Sequence, residues 1–149
     1  MRIAAFVVLV AFAIVPAAAS PSTEEVFRTF DLFGSWSDDC TQPASPEHPR
    51  ITVIVPSPGL VLETHDLGAN YETNRYSVLS AERVSATRLT VNVIFQPGAA
   101  NEERQKLEIL VRNSTRRTIF NQPQGGAIRV KNGVAVAAGL KTPVLTKCE

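Results

Sequence analysis

Residues able to do chemistry are few in this 149-residue chain, and their spacing argues against most reactions. There are two histidines, His48 and His65. Glu63, His65 and Asp66 stand close together, with Glu63 and His65 two apart and so on one face of an extended segment. A zinc ion needs three or four protein ligands at recognisable spacing, and one histidine with neighbouring carboxylates falls short of that. The group reads as a solvated charged cluster, and no metal or other cofactor is expected. Asp38 and Asp39 are adjacent, and adjacent strand residues face opposite ways, so they read as a polar strand end rather than a paired acid and base. No G-x-S-x-G elbow, H-E-x-x-H, P-loop or dinucleotide fingerprint occurs. No residue is assigned a catalytic role, and the chain is read as non-enzymatic. Arg104, Lys106, Arg112, Arg116 and Arg117 form the one basic concentration. Glu102, Glu103 and Glu108 balance it, so it reads as ordinary charged surface, although Arg112 and Arg116 on a hairpin would meet as an anion-binding patch.

The cysteines and the first residues bear on the compartment. Met1-Arg2 is a short positive stretch, Ile3 to Val15 is uninterruptedly apolar, and Pro16-Ala17-Ala18-Ala19-Ser20 supplies small residues in an A-x-A arrangement. That is the pattern of an export signal covering residues 1–19 and cleaved after Ala19. The apolar run is shorter than the ~20 residues a membrane span needs, and no later segment is long and apolar enough. The expected mature chain, residues 20–149, is one domain, periplasmic or secreted, with no membrane span after cleavage. Loss of Arg2 leaves basic and acidic side chains equal in number, which argues against nucleic acid as a partner. Cys40 and Cys148 are the two cysteines, near the two ends of that domain in an oxidising compartment. A bridge between them is the expected staple. The chain-entropy account values closure of so long a loop at about 4–5 kcal/mol.

The elements that would position these residues are mostly short strands. Ser22 and Glu25 stand at capping-box spacing, and Val26, Phe27 and Phe30 fall on one face of a one- or two-turn helix that Gly34 ends. Thr41 to Pro49 reads as an exposed, proline-marked loop. Strands follow over Arg50–Val55, Leu60–His65, Tyr71–Glu82 and Arg88–Phe95, the last with the cleanest alternation. After a polar loop through Glu103 come Leu107–Val111, Arg116–Asn121, a hairpin turning at Asn132-Gly133, and Val144–Cys148. Eight or nine strands with frequent turns predict an all-β fold: a single antiparallel up-and-down barrel of about eight strands with a short N-terminal helix, or else a β-sandwich.

A helical turn, then Gly34-Ser35-Trp36 opening the first strand, then a run of hairpins resembles a lipocalin or wider calycin-type barrel. Phe30, Asp31, Gly34 and Trp36 are the matching positions. The resemblance implies that Trp36 plugs the closed end of a barrel under an arginine from the final strands, for which Arg129 is the candidate. It also implies a small apolar ligand inside. The chain is similar as well to small bacterial periplasmic proteins with a tryptophan shortly before a first cysteine, a likeness that implies no activity. Tyr71, Tyr76, Phe95 and Phe120 are candidate interior aromatics, and Tyr76, Val91, Val93 and Phe95 are the expected ligand-lining set. The first functional expectation is an exported carrier of a small apolar molecule. The alternative is an interaction module, an inhibitor or envelope-assembly factor, whose Thr41–Pro49 and Gln96–Glu103 loops contact an envelope or secreted protein.

Overall fold

The computed structural model describes residues 19–149, so the expected leader lies outside the described residues except for Ala19. A seven-residue helix, α1 (Thr23–Thr29), comes first. Ten strands follow: β1 (Gly34–Ser37), β2 (Arg50–Ser57), β3 (Leu60–Asp66), β4 (Asn74–Arg83), β5 (Arg88–Phe95), β6 (Glu103–Arg112), β7 (Thr115–Pro123), β8 (Val130–Lys131), β9 (Val134–Ala135) and β10 (Leu145–Cys148).

β1 to β7 pair antiparallel in chain order, and β10 pairs with both β1 and β7. Those eight strands make a closed antiparallel barrel, while β8 and β9 form a hairpin attached to β7. Closure leaves the barrel strands with few unpaired edges. Up-and-down connectivity also sorts the connections. The turns β2–β3, β4–β5 and β6–β7 are tight and share one end, whereas residues 38–49, 67–73 and 96–102 form long loops at the other.

α1 enters at the tight-turn end. Ser22 caps it: its Oγ accepts from the Glu25 amide at 3.2 Å, and the Glu25 carboxylate accepts from the Ser22 amide at 2.6 Å. So short a helix does not hold alone in water and needs a surface to bury against. It buries Val26 and Phe27, and Phe27 meets Val78, Val91, Val93 and Ile109 from the barrel wall. Gly34 does not end the helix. The chain turns at Phe30, the C-cap, and at Asp31, whose φ is 52°, and Gly34 with φ 111° starts β1.

Alternation puts Ile51, Val53, Val61, Val78, Leu89, Val91, Val93, Leu107, Ile109 and Leu145 in the interior, with Trp36 and Leu32. The void left among Phe27, Glu63, Tyr76, Val78, Val91, Val93, Leu107 and Ile109 is only about 10 Å3, room for one water at most. The tight-turn half of the barrel is packed solid. Two bulges re-aim side chains. One, in β4 between Val78 and Ser80, shifts the inward set so that Ala81 rather than Ser80 faces the interior after Val78. The other, in β7 at Ile119, separates Thr118 opposite Ile109 from Phe120 opposite Glu108.

That second bulge removes Phe120 from the interior aromatics, because Glu108 lies between the inward Leu107 and Ile109. Tyr71 also leaves that set. β4 begins at Asn74 rather than Tyr71, since the turn fixed by Gly68 continues to a Tyr71 amide bonded to the Gly68 carbonyl at 3.0 Å, and Tyr71 is 56% exposed. Cys40 and Cys148 are disulfide-bonded, with 5.6 Å between their Cα atoms. Asn132-Gly133 makes the hairpin turn between β8 and β9, both residues at positive φ.

Candidate functional site

Three polar side chains meet inside the barrel where its apolar packing stops. Glu63 and His65 point inward from β3, two residues apart. Arg116 points inward from the start of β7, opposite Val111 in the β6 ladder. Arg116 is 2% exposed and Glu63 8%. The Arg116 Nη2 donates to both carboxylate oxygens of Glu63, at 3.0 and 2.9 Å. His65 Nε2 shares a hydrogen bond of 2.6 Å with Glu63 Oε1. Burial alone would push the Glu63 carboxyl up, but the Arg116 charge and the His65 bond outweigh it and hold the group down to about 2.

This arrangement corrects two expectations. Glu63 and His65 do share a face, but that face is the barrel interior, so they are no solvated cluster. Arg116 is buried, not part of a surface patch, and its partner Glu63 lies on a strand far away in sequence. Among the described residues no group of three His, Cys, Asp or Glu is placed to hold a metal ion. Asp38 and Asp39 go separate ways: Asp38 takes His48 Nδ1 at 3.0 Å, and Asp39 accepts from the amide and hydroxyl of Thr41 at 2.9 and 2.7 Å.

Arg116 also completes the packing around Trp36. The tryptophan is 1% exposed, and its Nε1 donates to the Leu32 carbonyl at 2.9 Å. The Arg116 guanidinium lies 5.9 Å from the indole centroid and the Lys147 ammonium 5.6 Å, both within cation–π range. Lys147 is held there by the Asp31 carboxylate at 2.5 Å. Arg129 is not the covering arginine. It makes a two-point pair with Glu103 at 2.7 and 2.9 Å near the long-loop end.

Above this layer, toward the long loops, lies a cavity of about 220 Å3. Ile51, Tyr76, Leu107, Val130, Pro143 and Leu145 supply apolar wall; His65, Arg116, Arg117, Thr118, Asn121 and Thr142 supply polar groups. It lies beside the seam where β7 passes from β10 to β8, which Thr142 bridges by donating to the Thr118 carbonyl at 2.6 Å. The Tyr76 ring packs between His65 at 4.6 Å and Phe95 at 5.2 Å. Burial first, and then the Glu63 charge, push the Tyr76 phenol above its ordinary value, so it stays neutral in the physiological range.

Of the four expected lining residues, Tyr76 lines this cavity. Val91 and Val93 lie in the packed half, and Phe95 is half-buried behind Tyr76. Sequence reasoning named Arg116 but placed it on the surface, and it missed Asn121 and Thr142. The bulge at Ile119 is what lets Thr118 and Asn121, three apart on β7, line the same space. Comparison of the chain with family models, with curated proteins and with solved structures finds no match in any of the three.

Proposed function

We propose that the chain is an exported, non-enzymatic binding protein that holds a small, largely apolar molecule in the cavity at the long-loop end of its barrel. The observation that carries this reading is the division of the barrel interior. One half is filled by side chains and α1, while the other keeps about 220 Å3 between Tyr76, Ile51, Leu107 and Leu145. A mostly apolar concavity with a few convergent polar groups is the usual form of a small-molecule site. At about 220 Å3 it is smaller than most ligand pockets and suits a compact molecule. The disulfide supports an oxidising compartment. Among the described residues no helix is long and apolar enough to cross a membrane. The lipocalin-like reading is supported by a plugged end, a buried Trp36 under two cations and an open end ringed by loops.

Native mass spectrometry of the protein purified from its own host tests the proposal. A co-purifying mass that disappears in a Leu107→Trp variant, which fills the cavity, is the expected result. A single ligand-free mass, from preparations in which known carriers keep their cargo, would overturn it.

A second reading has its own support. The Thr41–Pro49 and Gln96–Glu103 loops, on which an interaction module would rely, flank the same end. They are also built rather than loose. The buried Gln96 donates to the Thr73 carbonyl at 3.2 Å and accepts from the Arg75 amide at 3.3 Å. Capture of one envelope or secreted protein, lost when both loops are shortened and kept when the cavity is filled, favours this module over the carrier.

A further inference from the structure

Two buried polar atoms of residues that line the cavity have no hydrogen-bond partner in the protein: Nη1 of Arg116 and Oδ1 of Asn121. Native proteins leave few such atoms, because each forfeits the hydrogen bond that water supplied before burial. The orientation of the Asn121 amide follows from its neighbours. Glu103 can only accept, so Gln105 turns its Nε2 to Glu103 Oε1 at 2.7 Å and its Oε1 to Asn121 Nδ2 at 2.8 Å. Asn121 therefore presents its Nδ2 to Gln105 and keeps Oδ1 as a spare acceptor. Arg129, bound to the same Glu103, anchors the chain of bonds at the rim.

The charges around the cavity leave a positive excess. Arg116 is matched by Glu63. Arg117 lines the cavity too, but it donates only to neutral oxygens, the Thr142 hydroxyl at 3.0 Å and the Gly133 carbonyl at 2.5 Å. The Arg129–Glu103 pair is neutral as a unit.

We infer that the cavity recognises a compact organic anion carrying a hydrogen-bond donor, such as a hydroxy acid with a small apolar body. In this binding mode the carboxylate accepts from Arg116 Nη1, the hydroxyl or N–H donates to Asn121 Oδ1, and the apolar body lies against Tyr76, Ile51 and Leu107. Arg116 Nη2 stays on Glu63, so the ligand uses a donor that the ion pair leaves spare. Both spare atoms are shielded, so this binding mode requires each side chain to turn its free atom toward the cavity. A purely apolar ligand would leave both unpaired.

The inference rests on the carrier reading above and deepens it. Isothermal titration of the disulfide-bonded protein with three matched probes tests it: mandelate, phenylacetate, which lacks the hydroxyl, and 1-phenyl-1,2-ethanediol, which lacks the charge. Mandelate should bind at least tenfold more tightly than either. Asn121→Leu should erase the advantage of mandelate over phenylacetate, read as the ratio of the two affinities in the same variant. Arg116→Met alone would strand Glu63, so the paired Glu63→Gln/Arg116→Met variant is used, and it should erase the advantage over the diol. Equal binding of the diol and mandelate overturns the anion and leaves the carrier. Absence of binding by all three, with a different mass retained in native mass spectrometry, likewise overturns this chemistry alone. Absence of binding together with a ligand-free native mass overturns both.

Discussion

At the residue scale, the Glu63–Arg116–His65 cluster is the least expected feature and the most testable. The Glu63 carboxyl is held at about 2 against an ordinary 4.5. A depressed carboxylate contributes stability that is fully present above the ordinary value and is lost as pH falls through the folded one. The affected window is therefore roughly pH 4.5 to 2. Asp38, Asp39 and Glu25 are lowered too, so the wild-type slope contains their parts as well. The difference between wild type and Glu63→Gln isolates Glu63. Thermal melts followed by circular dichroism should show Glu63→Gln less stable at pH 7, by about 3–5 kcal/mol, since Arg116 is left as a buried charge without its counter-ion. That gap should narrow steadily as pH drops through the window. Parallel curves for the two proteins would contradict the burial of an ionised Glu63. The shared face of Glu63 and His65 was legible in the sequence, because their spacing alone sets it. Their burial was not. It depends on Arg116 arriving from β7, and no local pattern in Arg112-Asn113-Ser114-Thr115-Arg116-Arg117 distinguishes an inward arginine from an outward one.

At the scale of elements, what was legible is what local chemistry decides. The capping box at Ser22 and Glu25, the Asn132-Gly133 turn and the alternation from Arg88 to Phe95 each follow from neighbours in the chain, and each appears as read. The limits of β4 and the inner face of β7 were not legible. A bulge or a loop-to-loop contact settles them, and both depend on distant partners. Gly68 is the clearest case of the second kind. It has φ 94°, and a Cβ there would lie 2.6 Å from the Ala44 carbonyl oxygen, on the neighbouring 38–49 loop. The two long loops can pack together only because that Cβ is missing. Gly68→Ala should therefore destabilise the protein by more than about 1 kcal/mol in urea unfolding. Gly98→Ala is the control, for Gly98 has φ 79° with open space around it and carries the backbone strain alone. Equal losses at the two positions would show that the loop contact adds nothing.

At the scale of the whole molecule, the question is what keeps the barrel shut. Most neighbouring strands share long ladders, but β10 meets β7 at only two register positions, Leu145 opposite Arg116 and Thr146 opposite Thr115. On its other side β10 meets β1 at three. A four-residue strand at the chain terminus, held by so few rungs, would fray readily. Three further contacts tie it down. Lys147 reaches the Asp31 carbonyl at 3.1 Å, Thr146 donates to the Ser37 carbonyl at 3.1 Å, and Cys148 is bonded to Cys40, 108 residues earlier. The first two are local polar contacts, the Lys147 one reinforced by its ion pair with the Asp31 carboxylate, whereas the disulfide removes a large part of the unfolded chain's freedom, about 4–5 kcal/mol for a loop of this length. Closure of the seam and entropy of the unfolded state thus act through the same bond. A Cys40→Ser/Cys148→Ser variant should melt on the order of 10–20 °C below the oxidised wild type. Hydrogen exchange can separate the two effects. If the bridge acts on the unfolded state alone, protection falls by one factor across all strands. If it also clamps the seam, amides of β10 and the facing positions of β1 and β7 lose more than those of β5 and β6. The short seam predicts the second pattern, and uniform loss would show that β10 holds without its tether.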